Sequence, residues 1–419
     1  FYTQPPDTLL HPIRHHRHHE SGWNVATPSS QRKPSAAMQN KILNEIERLI
    51  RRDPARRGLI ASEETRGPLC PGHLALAAAD LAHRGKRAVI VTGFFIPAAT
   101  PAAAETDGPP GAALLGAALA SIGIDVQFAT DERCRHAMVV AAEAMKLSGS
   151  TVITPGDTPA AITAWYEQTI NSQSPPTHLI AIERVGPSHT RTSILQQSGE
   201  RKNSQSILQD FDRSVTTTEQ DHCYNMRGIC LDSFTAPLHG LFELAQNNPN
   251  LKTIGIGDGG NEIGMGSIDW QELRQRLTGE SAARIPCRIR TDWTIVAGVS
   301  NWGGMALAAA TLLLRNRLQN LVAWNSNQQQ SLLIQLVNEG PAVDGITRLP
   351  EPTVDGLPFL TYIQPWIGIR RVLGLPNDDG FPATTPRRTA PRSARKNSTP
   401  GAISAQRRKK SASMPKNHP

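Results

Sequence analysis

An α/β fold with a mostly parallel central sheet flanked by helices is what this sequence predicts, and two observations carry it. Short apolar runs of strand length alternate with helical segments along the chain. Several of these runs end abruptly in polar or glycine-rich turns, as strands do on leaving a buried parallel sheet. In such sheets ligands bind in the crevice beyond the carboxyl ends of the strands. The turns after the strands are therefore where function is sought.

The 419 residues suffice for one large or two ordinary domains. The net charge of +8 is unevenly placed. Residues 377–419 carry ten Lys/Arg against two Asp, and residues 1–37 carry four against two, which leaves the body between them at −2. A basic nucleic-acid-binding face is thus not a property of the body. Five scattered cysteines without a CxxC pair fit a reduced compartment, and neither a disulfide framework nor a zinc ribbon. No apolar run reaches the ~20 residues of a membrane helix.

Taken in order, residues 1–37 begin at Phe1 and are rich in Pro, Ser and Arg. They read as a fragmentary or processed, disordered segment, with few acids, as in part of a transit peptide. His15, His16, His18 and His19 would bind metal only if that segment were ordered. Ile42, Ile46, Leu49 and Ile50 recur at helical spacing, so an amphipathic helix ends before Pro54. An alanine-rich helix over 71–84 leads to a buried strand over 88–95. Then come Glu105-Thr106-Asp107-Gly108-Pro109-Pro110-Gly111 and an apolar helix over 112–122. Asp107 either faces the strand ends or serves a helix N-terminus, where carboxylates are favoured. Further short strands are expected at 125–129 and 151–154.

The run His178 to Ile182 ends in Glu183-Arg184, which either face the crevice or pair with each other on a surface turn. Residues 190–220 hold Ser, Thr, Gln and charges without a sustained period, and read as a flexible insertion. Tyr224-Asn225-Met226-Arg227-Gly228 and a helix over 237–246 follow. The strand over 291–299 ends in Ser300-Asn301-Trp302-Gly303-Gly304, where Ser300 or Asn301 is a natural N-cap of the next helix, 305–315. Residues 351–358 form a loop, and the composition beyond Pro376 cannot bury a core. The domain reading is accordingly 1–37, an α/β body over 38–376, and a basic tail over 377–419.

The stretch 253–266 is the most distinctive, with six glycines around Asp258, Asn261 and Glu262. Gly255-x-Gly257-x-x-Gly260 satisfies the dinucleotide fingerprint, in which backbone N–H groups cradle a pyrophosphate. Two carboxylates and no Lys or Arg in the stretch oppose that use. They suit a divalent cation or an ammonium group instead. If the strands are neighbours, Asp107, Glu183, Arg184, Asp258, Glu262, Ser300 and Asn301 share one crevice. Clustered acids with Asn and Thr oxygens are a donor set for Mg²⁺, Mn²⁺ or Ca²⁺, and no nucleotide is expected.

Five motifs occur in one order: Glu105 to Gly111, Ile182-Glu183-Arg184-x-Gly186, Tyr224 to Gly228, Ile256 to Gly266, and Ser300 to Gly304. Over roughly residues 40–358 the set resembles the C-terminal domain of the D-glutamate cyclases and its stand-alone microbial relatives. The resemblance implies a lyase of the mitochondrial matrix, with the cytoplasm as alternative, that turns D-glutamate into 5-oxo-D-proline and water. On this reading Glu183 or Glu262 takes the ammonium proton and Arg184 or Arg227 holds the α-carboxylate. Asp107, Glu183, Asp258 and Glu262 hold the cation. Glu183, Arg184, Asp258 and Glu262 are the catalytic candidates, and Arg227, Asn225, Asn261, Ser300 and Asn301 line the substrate. The implied partner is a small molecule, with no specific nucleic acid and no membrane, and an oligomer is left open. Three features depart from the family: residues 1–37 show nothing of the hydro-lyase-related domain upstream in the animal enzyme, residues 190–220 intervene, and the tail matches nothing. Two other readings stand beside this one: a metal- or amino-acid-binding regulatory module without catalysis of its own, and a dinucleotide-binding enzyme.

Overall fold

The computed structural model describes residues 35–54, 58–199, 201 and 203–376. The expectations for residues 1–34, the histidine cluster included, and for 377–419 lie outside the described residues. The central sheet has six strands, β1 (Arg87–Thr92), β2 (Asp125–Ala129), β3 (Val152–Ile153), β4 (His178–Ile182), β5 (Lys252–Gly257) and β6 (Trp293–Val296). All neighbours are parallel, in the spatial order β3-β2-β1-β4-β5-β6. The chain builds outward from β1 on one side, then crosses to β4 and builds outward on the other. The switch point lies between β1 and β4, the position at which doubly wound sheets bind ligands. Register aligns the strand ends there: Thr92 pairs with Ile182, Ile182 with Ile256, and Gly257 with Val296. The turns that begin at Gly93, Glu183, Asp258 and Ala297 thus leave one edge together.

The helices that frame the site are α1 (Ala36–Ile50), α2 (His73–Arg84), α3 (Pro109–Ala120), α4 (Glu132–Ala144), α5 (Arg191–Ser198), α6 (Ser204–Ser214) and α7 (Ser300–Leu314). Helices α3 and α7 are apolar on every side, and all but the last residue of each is buried. A helix without a polar face must be wrapped by others. Helix α7 is, by α3, α1 and α2. The α3–α7 crossing is close because it is made at glycines: a Cβ on Gly111 would lie 2.7 Å from the Asn301 Cα, and one on Gly304 2.8 Å from the Gly111 carbonyl oxygen.

Two expectations are corrected here. The strand expected over 88–95 ends at Thr92, because Gly93 turns the chain at φ +112°. Phe95–Ile96 instead pairs antiparallel with Ala103–Ala104. Residues 190–220 are not a flexible insertion. They form α5, opened by a Thr190–Ser193 capping box, and the amphipathic α6. Ile194, Ile207, Leu208, Phe211 and Val215 bury themselves against Trp270 and Ala283. The apolar positions 207, 208, 211 and 215 do follow a helical stripe; it is merely short and set in a polar background. Limited proteolysis of the native protein is therefore expected to spare residues 204–215, since cleavage needs local opening. Rapid cutting inside α6 would show that the stripe is not docked.

Two buried imidazoles are expected to make the fold acid-sensitive. His178, at the start of β4, contacts Asp80 at 3.0 Å, and burial lowers its pKa to about 4. Burial also lowers that of His189 to about 3. The unfolded chain takes up these protons near the ordinary value of 6.5, whereas the folded chain refuses them. Stability is thus expected to fall as pH drops from 6.5 towards 4. Melting curves across that range check it, and a flat profile in His178→Gln would assign the larger share to that residue.

Candidate active site at the sheet switch point

At the switch point three carboxyl groups meet. Asp107, Glu183 and Asp258 each offer one oxygen, and the three oxygens lie within 4.8 Å of one another. All three residues are buried. Asp107 comes from the turn before α3, Glu183 from the end of β4 and Asp258 from the end of β5. The Glu183 backbone is held at φ +46°, a conformation non-glycine residues rarely adopt and one that recurs at functional sites.

Two helices aim their N-termini at this cluster and cap each other. Asp107 accepts the backbone N–H of Ser300 (2.9 Å, Oδ2) and of Asn301 (2.8 Å, Oδ1) at the start of α7. In return Asn301 Oδ1 accepts the N–H of Gly108 (3.0 Å) and Gly111 (2.8 Å) at the start of α3. The expectation that Ser300 or Asn301 caps its own helix is therefore corrected. Both lie inside the first turn of α7, and the acceptor for that turn, Asp107, comes from the turn before α3. The Ser300 hydroxyl donates to Glu183 Oε2 at 2.5 Å. Burial pushes the nearby Tyr362 phenol well above the usual tyrosine value, with the Asp107 charge adding to it, so it stays protonated.

Glu262 sits differently. Its Oε1 accepts the N–H of Asp258 (3.1 Å) and Gly259 (2.6 Å), and its Oε2 that of Gly260 (2.7 Å). The side chain thus fills, from within, the ring of amides that the dinucleotide fingerprint would offer to a pyrophosphate. Asn261 donates to the Tyr224 carbonyl at 2.8 Å and so ties the glycine-rich loop to the 224–230 hairpin.

Arg184 and Glu183 do not pair with each other. Arg184 is fully buried and turns away, donating to Asp131 Oδ2 (2.6 Å), the Gly93 carbonyl (2.8 Å) and the Ala236 carbonyl (2.7 Å). Asp131 is also the N-cap of α4, so this arginine joins three segments behind the site.

Of the three carboxylates, Glu183 lines a cleft of about 740 Å³, counting the part open to solvent, and Asp107 and Asp258 do not line it. Glu262, Asn225, Arg227 and Asn261 line it as well, whereas Ser300 and Asn301 do not. The cleft also takes Glu105, Arg348 and Asp355, which the sequence reading did not single out. Glu105 had a signal, since it stands two residues before Asp107 and alternation puts such residues on one face of extended chain. Arg348 and Asp355 had none: they sit at φ +63° and +54° in a loop pinned by the buried Asp344. Asp344 accepts the N–H groups of Ile346, Thr347 and Gly356 and the Thr353 hydroxyl.

The chain is 27% identical over 363 residues to the human protein "D-glutamate cyclase, mitochondrial", an alignment that covers 80% of this chain and 51% of that one. It thus spans about half the length of the curated relative it matches. The family model described as "D-glutamate cyclase-like, C-terminal" matches residues 46–213 and 191–364, two spans that overlap across α5 and α6. Together they take in the sheet, both capped helices and all three clustered carboxylates. The chain belongs to the D-glutamate cyclase-like C-terminal family.

Proposed function

We propose that this chain is a lyase that cyclises D-glutamate to 5-oxo-D-proline. The observation that carries the proposal is the convergence of Asp107, Glu183 and Asp258 at the switch point, with Glu183 also lining a cleft. In the reaction the α-amine attacks the γ-carboxyl carbon. A C–N bond forms, a C–O bond breaks, and the lost oxygen leaves as water. Two barriers must fall: the amine must shed a proton, and the γ-carboxylate must become electrophilic.

Glu183 is the residue placed for the first task. Among the described residues it alone belongs to both the carboxylate cluster and the cleft lining, where it takes the ammonium proton as general base. Ser300, donating to Oε2, fixes the carboxylate's orientation. Arg227, with Arg348 of the same cleft as the second candidate, binds the α-carboxylate as a bidentate partner. Asn225 Oδ1 accepts the N–H groups of Arg227 and Ile229, which sets the turn that presents the arginine. Arg184 holds the scaffold, and Glu262 shapes the loop that carries Asp258.

For the second task the donor set fits a hard divalent cation. Three carboxylate oxygens within 4.8 Å match the oxygen–oxygen separations of roughly 3.0–4.8 Å expected around Mg²⁺, Mn²⁺ or Ca²⁺. Asp107 and Asp258 would hold such an ion beside Glu183, which keeps the role of base, and the ion would supply Lewis-acid polarisation of the γ-carboxyl group. The relative's name places that protein in mitochondria, and we extend the same location to this chain.

The test is incubation of the full chain with D- and L-glutamate, with and without Mg²⁺, Mn²⁺ or Ca²⁺, following 5-oxoproline. Production from the D-enantiomer is the expected result. Tight binding of glutamate without product would favour the regulatory-module reading, and neither binding nor product would remove both.

A further inference from the structure

Outside the carboxylate cluster, His222, Cys230 and Asp232 bring one donor atom each within 4.8 Å of one another. We infer that these three residues form a binding site for a single borderline-soft divalent metal ion of the zinc type. The donors are an imidazole nitrogen, a thiolate sulfur and a carboxylate oxygen, the mixture zinc prefers and magnesium or calcium does not. Three protein ligands and one water complete a tetrahedral shell, in which donor atoms stand roughly 3.3–3.8 Å apart.

The arrangement is held from behind. Asp232 Oδ1 accepts the backbone N–H of Cys223 at 2.8 Å, which leaves Oδ2 facing the His222 ring. The His222 carbonyl accepts the Ser188 N–H at 2.9 Å. Cys230 is bridged to Tyr224 across the hairpin, and the Leu231 N–H reaches the Cys223 carbonyl at 2.7 Å. His222 Nδ1 and Asp232 Oδ2 now share a hydrogen bond of 2.5 Å. The ion replaces that proton, and the two side chains, 40% and 42% exposed, have room to part by the needed ångström. Cys223, next in sequence, is buried and lies outside the cluster.

The site lies at the base of the hairpin whose tip carries Asn225 and Arg227 into the cleft. An ion there staples the two arms and limits the excursions of that tip. The inference does not depend on the identity of the reaction, since it concerns a separate cluster with its own spectroscopic signature.

The experiment is Co²⁺ titration of the full chain, read by absorption. One equivalent is expected to produce a thiolate-to-cobalt charge-transfer band in the near ultraviolet, displaced by Zn²⁺. Cys230→Ser should abolish the band, and His222→Ala or Asp232→Asn should weaken Co²⁺ affinity at least tenfold. Asp258→Asn and Cys70→Ser should retain it. The three ligands are on the surface, so unchanged melting of the metal-free variants is expected and is measured alongside. Absence of a thiolate band in the wild type, or its survival in Cys230→Ser, overturns the site.

Discussion

Asp258→Asn is expected to lower 5-oxoproline formation at least ~100-fold while leaving the melting temperature of the metal-free protein unchanged or higher. Lewis-acid polarisation is a matter of several kcal/mol, and each 1.36 kcal/mol is tenfold in rate. The stability sign is opposite because three buried carboxyl groups within 4.8 Å repel one another, and the amide removes one charge without changing the volume. A divalent cation should then raise the melting temperature of the wild type and not of the variant. An active variant would remove Asp258 from the chemistry, and one that fails to fold would overturn the expected stability sign.

The second large effect is on stability. Arg184→Met is expected to destabilise the fold by about 3–5 kcal/mol, the scale for removing one partner of a buried ion pair. The loss strands Asp131 and two carbonyls that now receive the guanidinium. Denaturant unfolding checks the magnitude. The accompanying double variant Arg184→Met/Asp131→Asn should recover a substantial part, because no uncompensated charge is then left. If Arg184→Met instead melts normally and loses only substrate affinity, the arginine belongs to the cleft.

These two residues show how far the sequence could be read. The alternation of apolar runs and helices gave the parallel sheet, because burial on both faces leaves no other pattern. The ends of β4 and β5 placed Glu183 and Asp258 on one edge. What the sequence could not show was side-chain direction. Glu183 and Arg184 are neighbours, yet one turns into the site and the other behind it, and that choice is made by the φ of Glu183 and by Asp131, 53 residues away. Glu262 likewise looked like a ligand, although its oxygens fold back onto the amides of its own loop. The cleft wall from Arg348 and Asp355 was invisible, since nothing periodic marks a loop held by one buried aspartate. Helix α6 was legible in principle, but its stripe of four apolar residues is easily lost among Ser, Gln and Asp.

The mutual capping of α3 and α7 has a consequence for how the site comes into being. Each of these cross-helix bonds spans 190 to 194 residues of chain, and only the Gly108 N–H has a nearby acceptor as well, Asp107 Oδ1 at 2.9 Å. A nascent chain that has emerged only as far as β5 therefore holds Gly111 without the Asn301 oxygen, and Asp107 with the Gly108 amide but without those of Ser300 and Asn301. The full arrangement of the carboxylate cluster is completed late, when the chain after the last strand delivers Ser300 and Asn301. Any splice variant or proteolytic fragment that stops short of residue 301 forfeits the whole constellation rather than one corner of it.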